Sequence, residues 1–259
     1  MRRALVFLFV VSSCQPQPPV EAPAGSAATF EFGMKSEEMT RDGCVAGDGS
    51  CTYVRVDYPT VIFSPSGAAV VRVEAVIRDA VNARYMEDGV YRSPTELMRA
   101  FLAEYAALVA REPSYRHPWF LERKVFVVEN TPEVLSLSVS ERAFTGGAHG
   151  SQTIVYQNLH PSTGEPRRLA DWLVAGFEPK LRALAEAKFR EVREIEDGTS
   201  LEQAGFIFFE DQSFSLTNNY SLSNEGVSFY YNAYEVGPYA LGPTEIHLSA
   251  KELEGLIKE

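Results

Sequence analysis

Apolar and polar positions alternate along TYVRVDYPTV, residues 52–61, as in a strand with one buried face. The spacing then lengthens. In residues 66–86 Val70, Val73, Ile77, Ala80 and Val81 recur at helical intervals, with Arg72, Glu74, Arg78 and Asp79 on the other side. Ser93 and Glu96 form a capping box with Pro94 at the first helical position, and Leu97, Phe101, Leu102, Tyr105 and Leu108 supply the stripe of a second helix. Three strand-like runs follow, WFLERKVFVVENT, EVLSLSVSERAFT and SQTIVYQNLH, separated by Asn130, Pro132 and the Gly146-Gly147 pair. Links this short predict an antiparallel meander. A short helical piece over 169–177 and a long charged helix in EPKLRALAEAKFREVREIE come next. Strands then return, with a hairpin around Asn224-Glu225-Gly226, a last strand TEIHLS and a closing helix in AKELEGLIKE.

Strands and helices segregate, so the expected class is α+β: antiparallel sheets with helices on one face, in two small subdomains sharing an interface. Glu112-Pro113-Ser114 breaks the second helix and suggests a boundary there, giving an amino-terminal domain over 29–115 and a carboxyl-terminal domain over 116–259.

The amino terminus, MRRALVFLFVVSSC, has a different character. Arg2 and Arg3 precede an apolar run about half as long as a membrane-spanning helix requires. Val11-Ser12-Ser13-Cys14 resembles a bacterial lipobox. Residues 1–13 are therefore expected to be a signal peptide, Cys14 to be lipidated, and the Pro- and Ala-rich stretch over 14–28 to be a flexible tether. This implies an extracytoplasmic, membrane-anchored lipoprotein, facing the periplasm from the outer membrane in a Gram-negative host. Cys44 and Cys51 remain, and the turn residues Gly47, Asp48 and Gly49 between them favour a structural disulfide in an oxidising compartment. Cys-x-x-Cys redox spacing is absent, and no nearby histidine completes a zinc knuckle.

With 35 acidic and 24 basic residues, the chain carries a formal charge of −11. Loss of Arg2 and Arg3 with the signal peptide makes it −13. Phosphate binding needs a basic footprint, so no nucleic-acid partner is expected, whereas cationic partners are favoured. His117, His149, His160 and His247 form no metal-ligating pair, and no nucleophile elbow, phosphate loop or dinucleotide fingerprint occurs. No metal, cofactor or catalytic residue is assigned.

FTGGAHGSQTIVYQNLHPSTGEPRRLADWL and YEVGPYALGPTEIHLSAKELEGLI are similar to the domain of unknown function at the carboxyl end of the RsiV anti-sigma factors and PdaC-type peptidoglycan deacetylases. CTYVRVDYPTV and the alanine-rich helix after it resemble the companion domain that precedes it in the same proteins. The resemblance implies an extracytoplasmic α+β module, with lysozyme binding by the RsiV ectodomain as its best understood activity. Neither the sigma-binding segment nor the separate deacetylase domain of those families has a counterpart in this sequence. The expected function is thus a monomeric, non-catalytic binding module recognising lysozyme, another cationic protein or a peptidoglycan fragment. The alternatives are a cell-wall-modifying enzyme centred on His149 and Glu235, or an envelope scaffold. The candidate binding or structural loops are Gly146, Gly147, His149 and Gly150, facing Tyr234, Glu235, Pro238 and Tyr239. Within them the glycines are expected to serve the backbone and His149 to hydrogen-bond the facing loop.

Overall fold

The computed structural model describes residues 29–208 and 213–258. The expected signal peptide, Cys14 and the tether lie outside them. The first half of the chain builds a five-stranded sheet from β1 (Glu31–Thr40), β2 (Tyr53–Phe63), β3 (Phe120–Asn130), β4 (Leu135–Phe144) and β5 (Ser151–Leu159), in that spatial order. Helices α1 (Gly67–Asn82) and α2 (Pro94–Arg111) connect β2 to β3 and cover one face of the sheet. Alternation puts Val54, Val56, Leu121 and Val125 on that face, where they meet Val73 and Ile77 of α1 and Leu97 and Phe101 of α2.

The class is α+β, and β3, β4 and β5 form the expected meander. The sheet itself is mixed. β2 and β3 run parallel, paired from Tyr53 with Phe120 to Asp57 with Lys124, because two helices supply the long crossover that parallel pairing demands. Hydrogen bonding therefore continues across the expected boundary at 115/116. Strand β1, absent from the sequence reading, pairs antiparallel with β2 along its whole length. Its EFGMKSEEMT pattern shows no clean alternation because an edge strand has few neighbours on either face.

Both covering helices start on serine hydroxyls: Ser66 accepts from Ala69 N and Ser93 from Glu96 N. The Glu96 carboxylate returns a bond to Arg92 N instead of Ser93 N. The carboxyl end of α1 has no basic residue of its own. Arg123, 2% exposed, fills that role from the sheet beneath, its Nη1 donating to Val81 O at 2.9 Å and Ala83 O at 2.6 Å. Its Nε and Nη2 meet Glu141 Oε2 at 2.8 and 2.5 Å.

The second half packs α4 (Glu178–Val192), preceded by the single turn α3 (Leu169–Trp172), against a three-stranded antiparallel sheet. That sheet comprises β6 (Tyr220–Ser223), β7 (Gly226–Tyr231) and β8 (Thr244–Ser249). Leu181, Ala185 and Phe189 face this sheet, and Phe189 sits among Phe206, Phe208, Phe214 and Tyr231 at ring distances of 5.0–5.7 Å. The closing helix expected in AKELEGLIKE does not form. Gly255 adopts φ +75°, and the segment winds through turns that bury Leu253 and Leu256 and bridge Ile257 to Leu173.

Amides join the two halves. Asn158 Oδ1 accepts from Ser136 Oγ at 2.6 Å and Leu222 N at 2.8 Å, while its Nδ2 donates to Tyr220 O at 2.7 Å. Along the outer edge of β5, Asn232 Oδ1 accepts from Ile154 N and Asn219 Oδ1 from Tyr156 N. Both side chains donate to Ile154 O. The edge strand is thus satisfied by side chains where another strand would otherwise pair.

Candidate functional site

The face of the five-stranded sheet opposite α1 and α2 carries the polar half of the alternation. Register places Tyr53, Phe120 and Phe144 side by side on three adjacent strands, with ring centroids 5.9 and 6.5 Å apart and nearly parallel planes. The next row reads Glu38, Arg55, Glu122, Arg142 and alternates in sign. Arg55 pairs with Glu38 at 2.5 Å and Arg142 with Glu122 at 3.1 Å. Tyr53 donates its hydroxyl to Glu122 at 2.9 Å. Burial, reinforced by that carboxylate, pushes the Tyr53 phenol up to about 12. Arg142 also lies over the Phe120 ring, 5.9 Å from its centre.

Two depressions flank this row and share Phe120, Arg142 and Phe144 as the ridge between them. The larger, about 540 Å³, runs toward the β1–β2 connection, whose Asp48 and Cys51 form its wall. There Cys44 and Cys51 are joined in a disulfide with a Cα–Cα separation of 5.6 Å. The staple closes the hairpin just beyond the Arg41 N to Thr52 O bond. The smaller depression, about 250 Å³, runs toward Gly150, Ser151, Gln152 and Tyr239.

The glycine-histidine loop lies at this end of the sheet. Gly146 and Gly147 have φ of +99° and +93°, and a Cβ on Gly146 would stand 2.6 Å from the Tyr115 hydroxyl. A Cβ on Gly150 would stand 2.9 Å from Ala143 O. His149 and the Tyr234–Tyr239 loop are in contact. The imidazole stacks on Tyr239 with ring centres 3.8 Å apart, and Tyr234 tilts over both. His149 Nδ1 is 2.8 Å from Gly150 O, which can only accept, so the ring proton is assigned to Nδ1. Nε2 then accepts from the Tyr234 hydroxyl at 3.4 Å, and Tyr239 donates to the same Gly150 carbonyl at 3.1 Å.

Tyr234 holds φ +72° while 62% exposed. Its loop is braced by Glu235, whose Oε2 accepts from Asn232 N at 2.8 Å, and Pro238 leads into the single 3-10 turn Tyr239–Leu241. Among the described residues no hydrogen bond or ion pair links His149 to Glu235, Thr145 or Ser151. Each ring nitrogen of His149 is occupied by a carbonyl or a phenol, an arrangement that braces the loop. His149→Ala is expected to lower the melting temperature by a few degrees, about 1 kcal/mol for one aromatic stack and two exposed hydrogen bonds. A thermal scan of the variant reads this directly.

The sequence reading singled out the loops and passed over the Phe120–Phe144 row with its charge ladder. The available signal was the aromatic at one end of each strand, Phe120 and Phe144, followed or preceded by alternating charge. Pairing partners, which a single strand does not reveal, turn those positions into a surface. No group of three His, Cys, Asp or Glu among the described residues is placed to hold a metal ion.

Comparison with known proteins agrees with this architecture. Residues 48–152 match the family model described as Deacetylase PdaC, and residues 170–251 match that described as Protein of unknown function (DUF3298). The first match runs through the 144–150 loop. No curated protein gives a significant match. A DUF3298 family crystal structure from Bacteroides fragilis is 18% identical, covering 89% of this chain and 95% of that one at a TM-score of 0.66. A second, from Pseudomonas aeruginosa, is 19% identical over 90% and 97% at a TM-score of 0.63. At these identities the likeness is one of fold. The chain joins a PdaC-like region to a DUF3298 region, in the α+β architecture of the DUF3298 family structures.

Proposed function

We propose that this protein is an extracytoplasmic binding module, held at a membrane by lipid on Cys14, that captures a cationic protein of the lysozyme type without catalysing a reaction. The observation that carries this reading is charge: the chain holds 35 acidic against 24 basic residues. A surface of one sign draws in a partner of the other and raises the rate of encounter. The Cys44–Cys51 disulfide and the PdaC-like region support the compartment, and no described helix is long and apolar enough to cross a membrane. His149 supports the non-catalytic part, since both its nitrogens are engaged in bracing the loop.

The test is titration of the full chain with lysozyme at about 0.01 M and 0.15 M salt, where the screening length falls from about 30 Å to about 8 Å. Saturable binding that weakens several-fold at the higher salt is expected. No binding at either salt would remove this reading in favour of an envelope scaffold.

A further inference from the structure

Aromatic rings and charged side chains on one surface can offer a ligand both stacking faces and hydrogen bonds. The ridge between the two depressions presents half-buried Phe120 and Phe144, and beyond it Tyr239 offers a ring that is 36% exposed. Arg142 stands on the same ridge. Its Nη1 is engaged by Glu122, but Nε and Nη2 have no partner among the described residues, and the side chain is 57% exposed. Glu122 is the opposite case: both its oxygens are taken, by Tyr53 and by Arg142, and only 13% of its side chain is exposed. Glu122 therefore fixes Arg142 in place, leaving the guanidinium a prearranged fork of donors. Asp48 on one side and Ser151 and Gln152 on the other add acceptors and further donors.

Each rival ligand class conflicts with part of this arrangement. A polyanion would meet Asp48 and Glu122 with only Arg142 to offset them. A purely apolar ligand would strip water from the Arg142–Glu122 pair and return nothing. An extended peptide would lack backbone partners, because the ridge lies on the face of the sheet and its strands are paired with one another. A neutral sugar chain has C–H faces for the rings and hydroxyls for the fork, and brings no charge to repel.

We propose that the Phe120–Arg142–Phe144 ridge, with its two depressions and Tyr239, is a binding groove for a neutral oligosaccharide. The combined space suits a short chain of sugars, as the larger depression alone falls in the about 300–1,000 Å³ range of small-ligand sites. The groove forms where the two family-matched regions meet. Phe120, Arg142 and Phe144 belong to the PdaC-like region and Tyr239 to the DUF3298 region. The disulfide loop supplies one wall, so the staple also shapes the ligand surface.

The experiment is calorimetric titration of the full chain with chitotetraose and, separately, cellotetraose, in the absence of any protein partner. Saturable binding of at least one below about 1 mM is expected. Arg142→Ala and Tyr239→Ala, both at exposed positions, should each weaken it roughly tenfold while unfolding stays cooperative, the Tyr239 variant melting a few degrees lower because it loses the His149 stack. Arg182→Ala, at an exposed position on α4, should leave it unchanged. Binding should be the same at both salt concentrations, which separates it from capture of a cationic protein. Absence of binding to both oligosaccharides, binding indifferent to Arg142 and Tyr239, or strong weakening by salt would each overturn the proposal. Preference for chitotetraose would identify the N-acetyl group as part of what is recognised.

Discussion

Replacing Phe189 with Ala is expected to cost about 3–5 kcal/mol, a large part of the roughly 5–15 kcal/mol by which a domain is ordinarily stable. Phe189 is fully buried on α4 and is the ring that Phe206, Phe208, Phe214 and Tyr231 all contact. Three of those four contacts are edge-to-face or close to it, so truncation removes both buried area and ring geometry. The surrounding rings cannot easily collapse into the void. They are held from the segment after α4 and from β7, and the Tyr231 hydroxyl is tied to Ser215 O at 2.9 Å. Chemical denaturation of the variant gives the loss, and hydrogen exchange locates it. Protection should fall first in 169–258, whose core is distinct from the one beneath α1 and α2. A loss below about 1 kcal/mol would show that α4 docks without this ring.

Arg123→Ala is expected to destabilise the other core by about 3–5 kcal/mol, for a different reason. The side chain is buried between α1 and the sheet, and its loss strands three groups together: the Glu141 carboxylate and the carbonyls of Val81 and Ala83. Much of the cost is the unpaired carboxylate. Arg123→Met combined with Glu141→Leu should therefore recover most of it, because an apolar pair of similar volume needs no partner charge. The double-mutant cycle reads the difference. If the double variant is as unstable as the single one, the stabilising contacts are those to the α1 carbonyls and not the ion pair.

Much of this architecture was legible because its signals are local. Ser93, Pro94 and the stripe from Leu97 to Tyr105 specify α2 without reference to anything beyond the helix, and the short links between β3, β4 and β5 leave antiparallel pairing as the only solution. The failures come from non-local causes. Residues 31–40 lack alternation because their position at an edge, set by β2, asks little of their side chains. The parallel union of β2 and β3 depends on where two helices set the chain down. Helical periodicity in residues 250–259 was overridden by a requirement visible only in three dimensions, that Ile257 return to Leu173. Arg123, in the middle of LERKV, looks like any solvent-facing charge until the helix end above it is known. Asn158, Asn219 and Asn232 look like turn formers, yet they join the two halves. The contact of His149 with Tyr234 and Tyr239 rests on short motifs, whereas the aromatic ridge rests on register across three strands.

Asn219 and Asn232, reaching the edge of β5 from the second half, also govern whether the sheet can recruit another chain. An amide side chain satisfies a strand's polar groups without presenting a fresh row of its own, so templated growth stops at that edge. Among the described residues the remaining open edge of the five-stranded sheet is β1, which carries Glu31, Glu37 and Glu38 against one Lys35. Two copies meeting there would bring net negative strands together. One edge sealed by amides and one guarded by charge amount to a built-in defence against fibrous self-association.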